Sequence, residues 1–360
     1  MTGNGTHRDR RAAGAATGAG AERGTAPSPP RVVPRSRPHD RDALTRLRER
    51  SVLRAYKAAT WTLGHAPQRA SWEVGGILAQ SAYLAWPARR RATRSSFAHV
   101  LGRSPDDPRV DRLARRMYRN YAQYIVELMR LPTRPRGELV RELDMMDAAN
   151  VETARDLGRG VIMVGAHVGF MEGGAAAIAD RGWVVSAIAD DSEFIELFEH
   201  LSRQRAAWGI RLLPLRNLRE MYATLRRGEL IGLLVDWGYR PDGIPVRIFG
   251  DWTTLPAGPA TLAARTGAVI VPISVTREVD GEFSYRGRTS PYIEVSSVEP
   301  AELARATQLV ADAIEEAIRR HPDQWWVFKA MWPESAQEEE RLLARLPEYG
   351  LSAERSATER

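Results

Sequence analysis

The chain has 360 residues, of which 43% are hydrophobic, so it is long enough for one large domain with accessory segments. It contains no cysteine, which excludes a disulfide framework, a thiolate nucleophile and a cysteine-ligated zinc site. The formal net charge of +7 is concentrated near the start, because residues 1–50 contain eleven arginines against five acidic residues.

Residues 1–41 have the composition of a disordered basic tail, since small residues and prolines separate the arginines. Such a tail either contacts anionic lipid or nucleic acid or is merely solvated. We favour the solvated alternative because arginine supplies nearly every cation of the chain, with Lys57 and Lys329 as its two lysines. The tail lacks the apolar run of a signal peptide, so secretion is not expected.

Two apolar-rich stretches follow, VLRAYKAATWTL at residues 52–63 and ASWEVGGILAQSAYLAW at residues 70–86. The second is short and contains Glu73, Gln80 and two glycines, whereas a spanning helix needs about 20 predominantly apolar residues. We therefore predict a helix that lies in the membrane interface or inserts halfway, rather than one that crosses the bilayer.

A basic segment directly after these apolar residues supports this prediction. Trp86 is followed by Arg89, Arg90, Arg91 and Arg94, the order expected where aromatic side chains enter a membrane surface and cations stay at the head groups. We predict that these five residues bind an anionic membrane surface, with the protein peripheral or monotopic at the cytoplasmic face of the cell membrane. An ordinary helical hairpin with a solvated basic loop is the alternative.

A clear helix begins at Asp107, a suitable N-cap, and Pro108, which suits the first turn. Apolar residues then recur every three or four positions, which places them on one helical face. These residues are Val110, Leu113, Met117, Tyr121, Tyr124, Leu128 and Leu131. Residues 42–150 are accordingly predicted to form an N-terminal helical, membrane-associating region.

From about residue 158, strand-like runs alternate with amphipathic helical segments. The strand-like runs are VIMVG, WVVSAI, IRLLP, LIGLLV and AVIVPIS, and the helical segments include EFIELFEHLSRQRAAW, NLREMYATLRRG and PAGPATLAARTG. Nearly continuous apolar strands between helices predict an α/β fold with a mainly parallel sheet covered by helices. We assign this core to residues 151–335 and a C-terminal tail to residues 336–360.

The stretch GVIMVGAHVGFMEGGAAAIA contains an isolated histidine and an isolated glutamate. His167 lies just past the carboxyl end of a predicted central strand, where ligands collect in parallel sheets. One continuous helix could not place His167 and Glu172 on the same face, so we predict a loop around His167 and Glu172 in the first turn of the next helix. Glu172 would then accept a hydrogen bond from one ring nitrogen and leave the other as a base. A core histidine beside a capping glutamate is the alternative.

Several common catalytic motifs are absent from the chain. It has no G-x-S-x-G elbow, no H-E-x-x-H, no Gly-Lys-Ser/Thr phosphate loop and no dinucleotide fingerprint. These absences argue against a serine hydrolase of that type, a zinc protease and a nucleotide hydrolase. No cluster of ligands suggests a metal, and we expect neither a metal nor a cofactor.

Five further segments occur in order along the chain: GAHVGFMEGG, RQRAAWG, LRRGELIGLLVDWGY, IFGDWTTLPAGPATLAARTGAVIVPIS and HPDQWWVFKAMW. Together they resemble the bacterial lipid A lauroyl/myristoyl acyltransferase family, which includes the mycobacterial phosphatidylinositol mannoside acyltransferase. That family belongs to the glycerolipid acyltransferases with a His-x4-Asp/Glu motif. The resemblance covers roughly residues 45–335 and depends on the ordered set of segments.

The resemblance implies roles for individual residues. His167 and Glu172 match the family's catalytic pair. Arg205, with Arg203 as its rival, matches the arginine that handles anionic groups of the donor or acceptor. Asp236 matches the family's strand-end aspartate, with a strand-terminating turn residue as the alternative.

Two more positions complete the predicted substrate-binding set. Gly258 lies in a segment that matches the family's Pro-x-Gly-Pro-Ala pattern. The family usually places Gln or Arg after the strand-end aspartate, whereas this chain has Trp237. The departure indicates an aromatic wall for an acyl chain instead of a polar contact.

The resemblance implies a membrane-associated acyltransferase that moves a fatty acyl chain from acyl-CoA or acyl-carrier protein to a lipid hydroxyl. His167 would take the hydroxyl proton, and Arg205 or backbone N–H groups near Gly169 or Gly258 would face the oxyanion or the phosphates of the donor. The acceptor stays open between lipid A-like lipids, phosphatidylinositol mannoside-like lipids and lysophospholipids. An acyl-thioester esterase and a non-catalytic basic protein that binds membrane or nucleic acid are the alternatives. We expect no nucleic-acid partner and a monomer.

Overall fold

The computed structural model describes residues 43–353 apart from 136, 138–140, 142, 191–193 and 279–283. The predicted basic tail of residues 1–41 lies outside the described residues, as does the end of the chain after residue 353. What is described comprises an N-terminal group of helices followed by an α/β core.

Within the described residues, four α-helices with defined bounds lie before the first strand. They are α1 (Ala43–His65), α2 (Gln68–Ala85), α3 (Pro87–Leu101) and α4 (Pro108–Arg130). The side chain of Asp107 caps α4 by accepting a hydrogen bond from the Arg109 N–H at 2.7 Å, which confirms the predicted N-cap. One face of α4 is buried, including Val110 and Met117, as the apolar spacing predicts.

Helix α2 presents its apolar residues differently from α4. Its buried side carries Trp72 and Tyr83, while large apolar residues also lie on its exposed side. Ile77 is 67% exposed and Leu78 is 64% exposed. None of the helices within the described residues combines the length and the apolar character that crossing a bilayer requires.

A seven-stranded sheet forms the centre of the α/β core. Its strands, in chain order, are β1 (Leu143–Met146), β2 (Val161–Gly165), β3 (Val185–Ala189), β4 (Ile210–Pro214), β5 (Leu230–Leu234), β8 (Val269–Arg277) and β9 (Tyr285–Thr289), and the spatial order is β1-β9-β8-β2-β5-β3-β4. Neighbouring strands are parallel except for β8 and β9. The prediction of an α/β fold with a mainly parallel sheet is therefore confirmed.

Strand β2 is buried on both faces of the sheet. Ile162 and Val164 belong to one apolar cluster, and Val161 and Met163 belong to the other, because successive side chains of a strand point to opposite faces. The helices of the core are α5 (Ala148–Asp156), α6 (Met171–Asp180), α7 (Ile195–Ala206), α8 (Leu218–Arg226), α9 (Gly258–Thr266) and α10 (Pro300–Arg320). They cover both faces, which explains the nearly continuous apolar strands.

Three features of the core have no counterpart among the predicted elements. Strands β9 and β1 extend the sheet beyond β8, with β1 at the edge. A hairpin of β6 (Ile244–Ile248) and β7 (Asp251–Leu255) stands apart from the main sheet. Helix α11 (Ala336–Arg345) occupies part of the predicted C-terminal tail, and its Leu342 is buried.

Candidate active site

His167 and Asp236 meet at the carboxyl edge of the sheet. Strands β2 and β5 are parallel neighbours, and Gly165 of β2 is paired with Leu234 of β5. Two residues further along each strand, the same register brings His167 opposite Asp236. The Nδ1 atom of His167 lies 2.7 Å from Oδ1 of Asp236, and the His167 backbone N–H donates to both carboxylate oxygens at 3.0 and 2.9 Å.

Asp236 is held as a buried carboxylate. Its side chain is 1% exposed, and its Oδ2 atom also accepts a hydrogen bond from Nε1 of Trp325 at 2.8 Å. Burial alone would raise the pKa of Asp236, but the His167 imidazole and the hydrogen bonds from His167 and Trp325 hold it below its ordinary value. An ionised carboxylate only accepts hydrogen bonds, so Nδ1 of His167 carries the proton.

The imidazole of His167 is poised as a base. Burial alone would lower its pKa, but the negative charge and hydrogen bond of Asp236 raise the pKa of His167 above its ordinary value, with a smaller contribution from Glu172. Because Nδ1 is bonded to Asp236, Nε2 is the nitrogen left for a substrate. This arrangement orients the imidazole and stabilises the imidazolium that forms when Nε2 takes a proton.

Close packing fixes the loop that carries His167. The carbonyl of His167 accepts from the N–H of Trp326 at 2.8 Å. Gly169 has a φ of +68°, and a Cβ there would lie 2.0 Å from the carbonyl oxygen of Val275, so a larger residue would displace the loop. In helix α6 a Cβ at Gly174 would lie 2.6 Å from a Val275 methyl group, so the small residue lets the helix lie close to β8.

The expected oxyanion donors near Gly169 are already engaged. The N–H of Gly169 donates to the carbonyl of Gln324 at 2.9 Å, and the N–H of Phe170 donates to the carbonyl of Val275 at 2.8 Å. The prediction that backbone groups around Gly169 face the oxyanion is therefore wrong for this conformation. These groups instead hold the His167 loop against β8 and the segment after α10.

Glu172 lies in the first turn of α6, as predicted, but it does not accept a hydrogen bond from His167. Its carboxylate accepts from the hydroxyl of Tyr124 at 3.1 and 3.2 Å, and Nη2 of Arg205 lies 3.7 Å away. In the structure Nδ1 of His167 donates its hydrogen bond to Asp236 instead. The predicted orienting role of Glu172 is therefore wrong. Glu172 connects α4, α6 and α7 through Tyr124 and Arg205.

A largely apolar cavity of about 730 Å³ opens beside the pair. Its wall combines β3, β4 and β5 with α6 and α7, and includes Ala187, Leu212, Gly232, Phe198 and Leu201. A volume in this range suits a ligand of drug or lipid-chain size. His167 is not part of the wall, but Trp237 is. The ring centroids of these two residues lie 5.5 Å apart.

Only some of the predicted substrate-binding residues line the cavity. Arg205 and Trp237 line it together with Glu172. Arg203 and Gly258 are not among its lining residues; Arg203 is two positions from Arg205 on α7, which turns the two side chains in different directions. Gly258 is the first residue of α9. Of the two rival arginines, the structure brings Arg205 to the cavity.

The predicted membrane-binding residues divide into different environments. Trp86 is 55% exposed, and the Arg89 guanidinium lies 4.7 Å from the centre of its ring. Arg89 also lines the cavity. Arg90 donates to the carbonyl of Leu84, and Arg91 is exposed. Arg94 is paired with Asp106 at 3.1 Å and lies 4.0 Å from Asp111, so its charge is partly neutralised within the protein.

Two polar contacts of the site were missed by the sequence reasoning. Tyr124 was predicted only as part of the apolar face of α4, and Trp325 was given no role of its own, although each donates a hydrogen bond to a site carboxylate. The enrichment of aromatics in DQWWVFKAMW was the available signal, because buried Trp and Tyr usually need a polar partner. Among the described residues, no group of three or more His, Asp or Glu side chains is arranged to hold a metal ion.

The chain is similar to known proteins along most of its length. Residues 41–334 match the family model described as bacterial lipid A biosynthesis acyltransferase. A phosphatidylinositol mannoside acyltransferase of Mycolicibacterium smegmatis is 28% identical over 290 residues, which cover 79% of this chain and 92% of the relative. A protein of the same name from Mycobacterium tuberculosis is 26% identical over 259 residues, which cover 70% of this chain and 80% of the relative.

Proposed function

This chain belongs to the bacterial lipid A biosynthesis acyltransferase family, and we propose that it transfers a fatty acyl group from a thioester to a hydroxyl of a membrane glycolipid, with His167 as the general base. That it is an acyltransferase follows from the family. The observation that carries the catalytic assignment is the His167–Asp236 pair at the carboxyl edge of the sheet, beside an apolar cavity.

In the proposed reaction, Nε2 of His167 takes the proton of the acceptor hydroxyl as its oxygen attacks the thioester carbonyl. The carbon–oxygen bond forms and the carbon–sulfur bond breaks, and the imidazolium returns the proton to the departing thiolate. Asp236 keeps the proton on Nδ1 and stabilises the imidazolium. The acyl chain occupies the apolar cavity, where water is excluded and Trp237 forms part of the wall.

Glu172 acts through Arg205 in this proposal. The carboxylate fixes the guanidinium at the cavity, and the hydroxyl of Tyr124 fixes the carboxylate. A guanidinium held in this position offers hydrogen bonds to the developing oxyanion or to an anionic group of a substrate. The contribution of Glu172 is therefore electrostatic and positional.

The acceptor class rests on the named relatives, both of which are called phosphatidylinositol mannoside acyltransferases. We assign this chain an acceptor of that kind, a sugar-bearing membrane lipid. The donor is a fatty acyl thioester of coenzyme A or of an acyl-carrier protein. The same histidine could activate the hydroxyl of other lipids, so the acceptor is decided by experiment.

Membrane association is part of the proposal. Four apolar residues lie on the exposed side of α2 at helical spacing: Val74, Ile77, Leu78 and Leu84. Trp86 and Arg89 follow directly after this helix. Exposed apolar surface flanked by cations is typical of interfacial helices, which bury the apolar face among lipid head groups. We therefore place the protein at the membrane surface, with α2 in the interface.

The direct test supplies the purified full chain with palmitoyl-CoA and with vesicles that contain phosphatidylinositol mannoside. We expect free coenzyme A and acylated lipid in equal amounts by mass spectrometry, and loss of both with His167→Ala. Release of free palmitate that does not change when the lipid is added would contradict the proposal and indicate an esterase. Transfer to lysophospholipid in preference to the glycolipid would correct the acceptor.

The membrane part has a separate test. Ile77→Ser with Leu78→Ser should lower cosedimentation with anionic vesicles and leave transfer to a detergent-dispersed acceptor unchanged. Leu309→Ser is the matched control, because Leu309 is an exposed leucine on α10. Equal vesicle binding by the α2 variant and the control would contradict the role of α2.

A further inference from the structure

Two cations at the cavity have no carboxylate partner. Arg89 of α3 and Lys329 both line the cavity, and within the described residues neither forms an ion pair. Arg205, which also lines the cavity, differs because Glu172 lies 3.7 Å away. The remaining acidic lining residue is Asp190, so the lining carries three cations and two carboxylates.

The two unpaired cations are held over aromatic rings. Nζ of Lys329 lies 4.5 Å from the centre of the Trp237 ring, and the guanidinium of Arg89 lies 4.7 Å from that of Trp86. Such contacts hold a cation in place without neutralising it. A cation held in this way keeps its full charge for a ligand.

The position of Lys329 is fixed by the surrounding backbone. Its carbonyl accepts from the Ser96 hydroxyl of α3 at 3.4 Å. Gly238, with a φ of +112°, leaves room for its stem, since a Cβ at residue 238 would lie 3.0 Å from Cβ of Lys329. The ring of Trp237 lies 5.5 Å from that of His167, so Lys329 and His167 both neighbour the same indole.

We propose that Lys329 and Arg89 bind a phosphate group of the acceptor lipid and thereby present the lipid hydroxyl to His167. This inference rests on the proposed function and specifies the substrate class as a phosphate-bearing lipid. The phosphate belongs to the acceptor because the pantetheine arm of a thioester donor separates its phosphates from the reacting carbonyl by many bonds. A lysine that shares the Trp237 indole with the reacting histidine is suited to a phosphate of the lipid whose hydroxyl reacts.

Binding of small amphiphiles tests the site without any need for catalysis. We expect isothermal titration calorimetry to show that Lys329→Met and Arg89→Met each lower the affinity for octyl phosphate by roughly tenfold, the size expected for one lost charge-assisted contact. The affinity for octyl glucoside should stay unchanged. Lys57→Met and Arg112→Met are matched controls, because both residues are exposed and lie on α1 and α4. Unchanged octyl phosphate binding, or equal loss of both amphiphiles, would overturn the proposal.

Kinetics then distinguish the two sources of phosphate. With phosphatidylinositol mannoside as acceptor, Lys329→Met should lower kcat/KM equally for palmitoyl-CoA and for the phosphate-free donor palmitoyl-N-acetylcysteamine. A fall confined to palmitoyl-CoA would assign the site to the donor and overturn the inference. If the wild type binds octyl phosphate through these residues but transfers no acyl group, the proposed function fails while the phosphate site stands.

A second, independent observation concerns Trp325. This residue is buried, and its Nε1 donates to Asp236 on the carboxylate oxygen that does not contact Nδ1 of His167. The ring of the buried Trp332 lies 6.4 Å away at 90°, and its Nε1 has no hydrogen-bond partner among the described residues. The chain therefore contains two neighbouring buried indoles, one that is bonded to the catalytic pair and one that is not.

The geometry points to Trp325 as a positioning residue that orients Asp236 for His167. Trp325→Phe keeps an aromatic ring but removes the donor, so kcat should fall roughly 10- to 100-fold, as for other lost outer contacts of a catalytic group. Loss of the donor leaves more negative charge facing His167, so the acidic limb of the pH profile of kcat/KM should move to higher pH. Trp332→Phe removes the same atoms and should change neither quantity. Equal effects of the two variants, or an unmoved pH profile in Trp325→Phe, would reduce Trp325 to a packing residue.

Discussion

In the part of the chain that the structure describes, two histidine–aspartate pairs have nearly the same separation. Nδ1 of His167 lies 2.7 Å from Asp236, and Nδ1 of His99 lies 2.6 Å from Asp251. The two imidazoles are equally accessible, with 30% and 29% of their side chains exposed. The distance between the partners therefore does not distinguish a candidate catalytic pair from a surface pair.

The carboxylates make the difference. The side chain of Asp236 is 1% exposed and that of Asp251 is 51% exposed. Asp236 accepts additional hydrogen bonds from a backbone N–H and from Trp325, whereas the ring of His99 is stacked on Trp332 at 4.2 Å. A charge interaction is much stronger in a buried site than in water. The buried surroundings of Asp236 therefore let its carboxylate act strongly on the His167 imidazole.

The largest effect is expected from the histidines themselves. His167→Ala should lower kcat by roughly 10²–10⁴-fold, the usual contribution of a general base. His99→Ala should leave kcat within about twofold, since surface ion pairs contribute little. Acyl transfer at saturating substrate, with circular dichroism to verify folding, measures both. A large loss with His99→Ala would break the distinction between the pairs.

A glycine beside each pair sharpens the comparison. Gly169 and Gly250 both have a positive φ, of +68° and +84°, but a Cβ would clash with Val275 only at Gly169. Gly169→Ala should displace the His167 loop and remove most activity. Gly250→Ala has space around it and should cost only about 1 kcal/mol of stability, from backbone conformation. Thermal unfolding and transfer assays together measure this, and similar outcomes would contradict the packing argument.

Glu172→Gln should have a smaller effect than His167→Ala, because Glu172 holds Arg205 and Tyr124 and does not contact the imidazole nitrogen. We expect roughly a tenfold loss of kcat/KM, the size of one weakened charge-assisted contact. Steady-state kinetics with the same donor and acceptor provide the measurement. A loss as large as that of His167→Ala would mean that Glu172 acts directly in the reaction.

Much of the sheet could be predicted because the buried strands are strongly patterned. VIMVG and IRLLP became β2 and β4 with the predicted bounds, since strands buried on both faces are nearly continuous apolar runs. Strand β9, with the sequence YRGRT, lies between β1 and β8 and was missed because its alternating arginines and its glycine leave no apolar run. The position of His167 at a strand end was predicted for the same reason as β2.

The partner of His167 could not be derived from local spacing. Asp236 follows β5, which lies beside β2 although two other strands of the sheet come between them in the chain. Strand order is a property of the whole sheet, so the five-residue interval to Glu172 was a misleading guide. The neutralisation of Arg94 by Asp106 and Asp111 likewise depends on how a loop folds back onto α3 and α4.

The central claim is that Asp236 makes His167 the base, and the two aspartates test it most directly. The negative charge of Asp236 raises the pKa of His167, so Asp236→Asn should move the acidic limb of the kcat/KM profile to lower pH. It should also lower the plateau by roughly 10²–10⁴-fold, because the imidazole loses its tautomer and its counter-charge. Asp251→Asn, measured in parallel, should reproduce the wild-type profile. A wild-type profile for Asp236→Asn, or the same change in both variants, would contradict the account.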